Sequence, residues 1–314
     1  MILSQQNVYR HSGRCGSAPL FVPLVGLPVT LLASVVYAYI DVYSPVVGVI
    51  TLIVLGLFSV AIGGTVSYVG YKTHCRSPVF LGMMGFLLGL VGLYTSWAAF
   101  EYALLQRFDE NFNAGFFDIL MRPDAVFEIA VAIAKQGWFE ALGMTPSGFF
   151  LWAMWGIEAV AIVGLSTLIA TRSIDDKVYC EQCGRWTARS ALELGDPPDR
   201  SLITTLRPDH LEPLLELEPA SGSGPRRFAR IDMWECPTCD TTTAIQINRC
   251  AVTKNSEGKL EEHREVLTPI QVVERSMLDG VRLLGQQPES TPPSDESSRT
   301  SEDTAPLPDA EEDA

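Results

Sequence analysis

Four cysteines stand in two Cys-x-x-Cys pairs. Cys180 and Cys183 lie in Tyr179-Cys180-Glu181-Gln182-Cys183-Gly184-Arg185-Trp186, and Cys236 and Cys239 lie in Trp234-Glu235-Cys236-Pro237-Thr238-Cys239-Asp240. A turn of this kind aims two sulfurs and several backbone amides at one point. Two turns together supply four thiolates, a full tetrahedral shell for Zn2+ at about 2.3 Å, with no open position for catalysis. Gly184 suits the left-handed turn that follows such a knuckle. Asp240 tolerates that geometry less well than glycine but better than most residues. Residues 184–235 separate the pairs, against a usual spacing of about 15–20 residues. The entropy of closing a loop rises slowly with its length, so one structural zinc ion remains the expectation. A redox dithiol and unligated thiols are the alternatives. A thioredoxin-like dithiol would need a βαβ context that neither pair has. Cys250 reads as a small buried apolar residue in a strand. Cys15 and Cys75 stand isolated near the inner end of the apolar part, and His11, His74, His210 and His263 are scattered polar residues.

Glu158 is the second chemical feature. It is the one charge in the run from Gly148 to Ala170, close to its middle. An acidic side chain at mid-bilayer costs roughly 2.5–3.5 kcal/mol on insertion scales, so it must face the bundle interior and find a partner. Thr30, Ser34 and Ser59 lie at similar depth. An ionisable functional site and a neutral, hydrogen-bonded structural residue are both open. Glu101 falls too close to the outer interface to weigh with it. Gly82, Gly85, Gly89 and Gly92 repeat at spacings that put them on one helical face. Small residues let helix backbones approach closely. They mark tight packing or, alternatively, a mobile interface along a conduction path.

These residues need elements to position them. A membrane-spanning helix takes roughly 20 apolar residues. Leu20–Ile40, Pro45–Tyr71, Pro78–Phe100 and Gly148–Ala170 meet that length. The first begins too far from Met1 and is too long for a cleaved signal, so it is read as a retained span. Asp41–Ser44 then make a tight hairpin into the second. Lys and Arg favour the cytoplasmic flanks of spans. Arg10, Arg14, Lys72, Arg76, Arg172, Lys177, Arg185 and Arg189 all fall inside if both termini are cytoplasmic in the inner membrane. The loop 101–147 then faces outward. Within it, Asp124–Leu142 is expected as a helix lying along the membrane surface.

The chain divides into an N-terminal arm (1–19), a transmembrane domain (20–171), a soluble domain (172–285) and an acidic tail (286–314). In the soluble domain, Phe228–Trp234 and Thr241–Val252 read as strands, and Leu260–Leu267 returns antiparallel after the turn Asn255–Gly258. A short helix is expected over Pro208–Leu217, between loops at Asp196–Pro198 and Ser221–Pro225. Another is expected from Thr268-Pro269, Thr as N-cap, with Ile270, Val273, Met277, Val281 and Leu284 as its apolar stripe. The tail, rich in Pro, Ser, Thr, Asp and Glu, lacks the apolar content to order itself. A net charge of −14 and no basic stripe argue against a nucleic-acid partner. The chain has no Gly-rich phosphate loop, no His-Glu-x-x-His and no nucleophile elbow, so an enzyme is not expected.

The expected fold is thus an α-helical membrane bundle of about four transmembrane helices plus a small β-rich, zinc-ribbon-like soluble domain. Taken together, the four spans, the segment Leu151-Trp152-Ala153-Met154-Trp155-Gly156-Ile157-Glu158, and the Cys180/Cys183 and Cys236/Cys239 pairs resemble a family of uncharacterised bacterial membrane proteins with a zinc-ribbon-like cytosolic part. The resemblance covers roughly residues 10–285 and implies architecture rather than an activity. Zinc-ribbon folds more often bind partners than catalyse. The insertion 184–235 departs from a simple ribbon. The functional expectation is a membrane-anchored adaptor in the lipid bilayer with a protein partner. The alternatives are a small transporter or channel that uses Glu158, and a membrane enzyme acting at its outer loop.

Overall fold

The computed structural model describes residues 8–43, 49–108, 112–137, 145–195, 225–239 and 241–284. The long apolar runs form helices α1 (Ala18–Tyr43), α2 (Val49–Lys72), α3 (Pro78–Phe108) and α6 (Gly148–Arg172). Among the described residues these four are long and apolar enough to cross a membrane. Side chains such as Leu32, Leu52, Val79, Phe149 and Val160 point outward, as hydrocarbon allows. The expected spans are exceeded most at two ends. Asp41–Tyr43, read as hairpin, continue α1, and α3 runs past Phe100 to Phe108.

The four helices form one bundle, with α3 and α2 each packed along both α1 and α6. Glycine determines how close they come. A Cβ on Gly85 would stand 2.7 Å from the Ser166 carbonyl oxygen and 2.8 Å from the Ala170 Cβ, and one on Gly89 would stand 3.2 Å from the Val163 Cα. Gly63 of α2 meets the same Ser166 carbonyl at 2.7 Å from the other side. The backbone of α6 at Ser166 is therefore wedged between glycines of two helices. Gly82 also faces α6, at Thr171, whereas Gly92 turns toward Ile62, Thr30 and Phe58 of α2 and α1. The stripe is thus a packing seam, with its last member serving a different neighbour.

Two short helices cap one end. They are α4 (Phe116–Leu120) and α5 (Pro123–Gln136), which packs Val126, Ala130 and Ala134 inward and leaves Phe127 outside. Tyr94 donates its hydroxyl to the Leu120 carbonyl at 2.6 Å. The surface helix expected to reach Leu142 stops at Gln136, because Gly137 takes φ +76 and breaks the helical course.

After α6 the chain forms a hairpin of β1 (Tyr179–Cys180) and β2 (Arg185–Trp186), then a sheet. Strands β3 (Ala188–Leu194), β4 (Arg226–Glu235), β5 (Thr243–Lys254) and β6 (Leu260–Val266) pair antiparallel in that order, and β7 (Gln271–Val272) pairs with the start of β5. One sheet face, with Leu194, Ala229, Ile231, Met233, Ile245 and Ile247, is covered by Leu278 and Val281 of α7 (Arg275–Leu284). The helix expected from Thr268 begins only at Arg275. Beyond β6 the edge of β5 at Ala244 and Ile245 is unpaired, and Gln271–Val272 fill it. The Thr268 hydroxyl meanwhile accepts the Ile247 N–H at 3.0 Å instead of capping a helix. The arm joins this edge too, since Val8 bridges Gln271 and the Tyr9 N–H donates to the Ile270 carbonyl at 2.9 Å. Ser44, the expected helix Pro208–Leu217, its flanking loops, residues 138–142 and the tail 286–314 lie outside the described residues.

Candidate metal centre and intramembrane carboxylates

Both cysteine knuckles sit at strand ends, where the ladder fixes the backbone and a turn frees the sulfurs. In the first, Tyr179 pairs with Trp186 and Cys180 with Arg185. Between them the Cys183 N–H points at the Cys180 Sγ at 3.4 Å, and Gly184, at φ +63, donates its N–H to the Cys180 carbonyl at 2.9 Å. In the second, β4 ends at Glu235 opposite Thr243, and the Cys236 N–H donates to the Thr242 carbonyl at 3.1 Å. The β3–β4 pairing, Ala188 opposite Glu235, folds the 184–235 insertion back so that the two knuckles meet.

The four sulfurs all lie within 4.8 Å of one another. Sulfurs at about 2.3 Å from a common ion stand about 3.8 Å apart. Cys180 Sγ and Cys239 Sγ are 3.5 Å apart. Cys180 and Cys236 are buried, Cys183 and Cys239 half-buried, and all are free thiols. Hydroxyl groups line the cluster. The Thr242 hydroxyl donates to the Cys180 Sγ at 3.3 Å, and Thr241 Oγ1 lies 3.0 Å from the Cys239 Sγ. Thr241 also donates to Gln182 Oε1 at 2.8 Å, which ties one knuckle to the other.

Four thiolates this close repel, and the protons divide unevenly among them. The Thr241 hydroxyl and the Thr241 N–H bring Cys239 down to about 6. Burial works against ionising Cys236, but the N–H groups of Thr238 and Cys239 outweigh it and lower that thiol. Cys183 is pushed up to about 12, chiefly by its hydrogen bond with Cys239. Such a set is preorganised for a cation that takes thiolates and releases the remaining protons.

The first knuckle rests on the ends of α2 and α3. Glu181 accepts from Arg76 at 2.6 Å, and that guanidinium lies 4.3 Å above the Tyr179 ring. The Trp186 ring stacks on Tyr71 with centroids 5.4 Å apart and donates its Nε1–H to the Tyr71 carbonyl at 2.9 Å. The Tyr179 N–H donates to the Tyr9 hydroxyl at 2.9 Å, and His11 Nε2 lies 3.0 Å from the Ile174 carbonyl. The position of Glu181 inside a Cys-x-x-Cys turn gave no hint of this contact, because its partner is remote in sequence.

Inside the bundle Glu158 has a partner, though not an expected one. Tyr37 of α1 donates its hydroxyl to Glu158 Oε1 at 2.5 Å. Ser34 instead donates to the Thr30 carbonyl of its own helix and the Gly92 carbonyl of α3, Ser59 donates to the Leu55 carbonyl of its own helix, and Thr30 Oγ1 has no partner among the described residues. Helix hydroxyls bond readily to the carbonyls of their own preceding turn, and Glu158 takes its bond from the longer side chain of Tyr37. Tyr37 and Glu158 line a small, partly open cavity of about 30 Å3 together with Asp41, Ser96, Trp97 and Trp155. Asp41, read as a hairpin residue, thereby becomes a second carboxylate beside Glu158. Glu101 is fully buried in α3, and neither carboxylate oxygen has a partner among the described residues. The helix α3 continues beyond the apolar run, and Glu101 packs inside it rather than at its end.

Comparison with known proteins finds no matching family, no similar curated protein and no similar solved structure.

Proposed function

We propose that this chain is a membrane-anchored interaction module whose Cys180, Cys183, Cys236 and Cys239 hold one structural Zn2+, and whose soluble sheet presents a surface to a protein partner. The observation that carries this reading is the convergence of four sulfurs from two hairpins far apart in sequence, all within 4.8 Å. Four thiolates close a tetrahedral shell, which favours a structural ion over a catalytic one. The ion would fasten β1–β2 to the ends of β4 and β5. The clustering of Arg14, Lys72, Arg76, Arg172 and Lys177 where the helices meet the soluble part supports a cytoplasmic position for both. Elemental analysis of the full-length protein in detergent should find one zinc per chain. The Cys183→Ser, Cys239→Ser double variant should lose it, with the sheet less resistant to proteolysis. A metal-free parent, or undiminished zinc in the double variant, contradicts the assignment.

A second reading, cation or proton movement through the bundle, is favoured by one observation: the Tyr37–Glu158 pair and Asp41 share a cavity among the helices. In proteoliposomes this reading expects ion flux in the parent and its loss in Glu158→Gln. Absence of flux in the parent ends it.

A further inference from the structure

A second pair of thiols lies outside the four-cysteine cluster. Cys15 precedes α1, and Cys75 occupies the turn between α2 and α3. The two segments run side by side. The Gly13 N–H donates to the Arg76 carbonyl at 3.2 Å and the Arg76 N–H to the Arg14 carbonyl at 2.7 Å. Gly16, at φ +55, approaches so closely that a Cβ there would stand 2.4 Å from the Thr73 carbonyl oxygen. This register sets Cys15 beside Cys75 on the neighbouring segment. Cys75 has no exposed surface and belongs to the bundle core, against which the half-buried Cys15 packs.

We propose that Cys15 and Cys75 form an oxidant-sensitive dithiol that closes to a disulfide and staples the N-terminal arm to the α2–α3 turn. The oxidant class is a peroxide. The Cys15 sulfur, the accessible one, attacks the O–O bond of hydrogen peroxide and becomes a sulfenic acid as one water leaves. The Cys75 sulfur then attacks the Cys15 sulfur. The S–O bond breaks, the S–S bond forms, and the Cys75 proton leaves with the hydroxide as a second water. Two thiols thus lose two electrons and two protons, and one peroxide becomes two waters. Burial pushes the Cys75 thiol up to about 11. It is neutral and covered toward external oxidant, and the sulfur it meets is the one lodged beside it. In a reducing compartment such a bond is transient and serves sensing rather than stability.

The stapled turn carries Arg76, which holds Glu181 between Cys180 and Cys183. Closing the bond therefore ties the arm, the turn and the first knuckle into one unit. This inference does not depend on a metal or on the adaptor reading.

Trypsin releases Thr73–Arg76, whose single thiol is Cys75. The full-length protein in detergent is treated with hydrogen peroxide, quenched with catalase, unfolded in SDS, alkylated with N-ethylmaleimide and digested. The alkylated form of this peptide should be lost after peroxide and restored when dithiothreitol precedes alkylation. It should be retained after peroxide in both Cys15→Ser and Cys15→Ala. The loss should persist in Cys239→Ser, which separates this pair from the fate of the four-cysteine cluster. Unchanged alkylation in the parent, equal loss in the Cys15 variants, or loss that dithiothreitol does not reverse overturns the proposal.

Discussion

His11 illustrates how one side chain sets the state of a whole segment. Its Nε2 faces the Ile174 carbonyl, its Nδ1 lies 3.4 Å from the Tyr9 hydroxyl, and its ring meets Trp186 edge-on. Burial lowers its pKa below the ordinary 6.5, although the Ile174 carbonyl pulls the other way. The undocked arm therefore binds a proton more readily than the docked arm. Docking is at full strength above about pH 6.5 and weakens as pH falls from there toward the lowered value. Amide exchange at Tyr9 and Arg76, corrected for its intrinsic pH dependence, should speed up between about pH 7.5 and pH 5.5. In His11→Gln that change should vanish. The cysteine cluster was legible because the spacing within each pair is local. His11, Tyr37, Asp41 and Glu181 were not, because each acts through a partner on another element, and single-residue context carries no trace of that.

At the scale of elements, the bundle depends on missing side chains. Ser166 of α6 packs between Gly63 and Gly85, and its hydroxyl donates to the Ser59 carbonyl at 3.3 Å. Gly85→Ala would push a methyl group against backbone, which cannot step aside as a flexible side-chain end can. The cost should be about 1–3 kcal/mol. Gly156, on the same α6, has no atom within 4 Å of its added Cβ, so Gly156→Ala should be neutral or slightly stabilising. Unfolding by SDS in mixed micelles, followed by circular dichroism, measures both. Equal responses would remove the seam from the account. The spans and the glycine periodicity were legible because lipid demands long apolar runs and packing demands small residues. Helix ends were less so. Gly137 cut α5 short through its backbone angle, and the unpaired edge of β5 took Gln271–Val272 from the helix expected after Thr268.

The whole molecule is a helical bundle suited to hydrocarbon and a β-sheet suited to water, bolted together around the first knuckle. Arg76, Tyr71 and Tyr9 hold that knuckle from the membrane side, while Thr242 holds its Cys180 sulfur and Thr241 its Gln182 from the sheet side. The strand-like apolar pattern made β4 and β5 legible, and the turn at Asn255–Gly258 did so for β6. The charged layer on the sheet's other face was not. There Asp232, fully buried, collects Arg189, Arg230, Arg264 and the Asn248 amide from β3, β4, β6 and β5, a set that only the register brings together. The same register carries the two knuckles to one point, and the account stands on that meeting. X-ray absorption at the zinc edge of the full-length protein, purified in detergent without added metal, tests it most directly. The account predicts four sulfur neighbours at about 2.3 Å and no nitrogen or oxygen in the first shell. An absent edge, or a shell with fewer than four sulfurs, would contradict it.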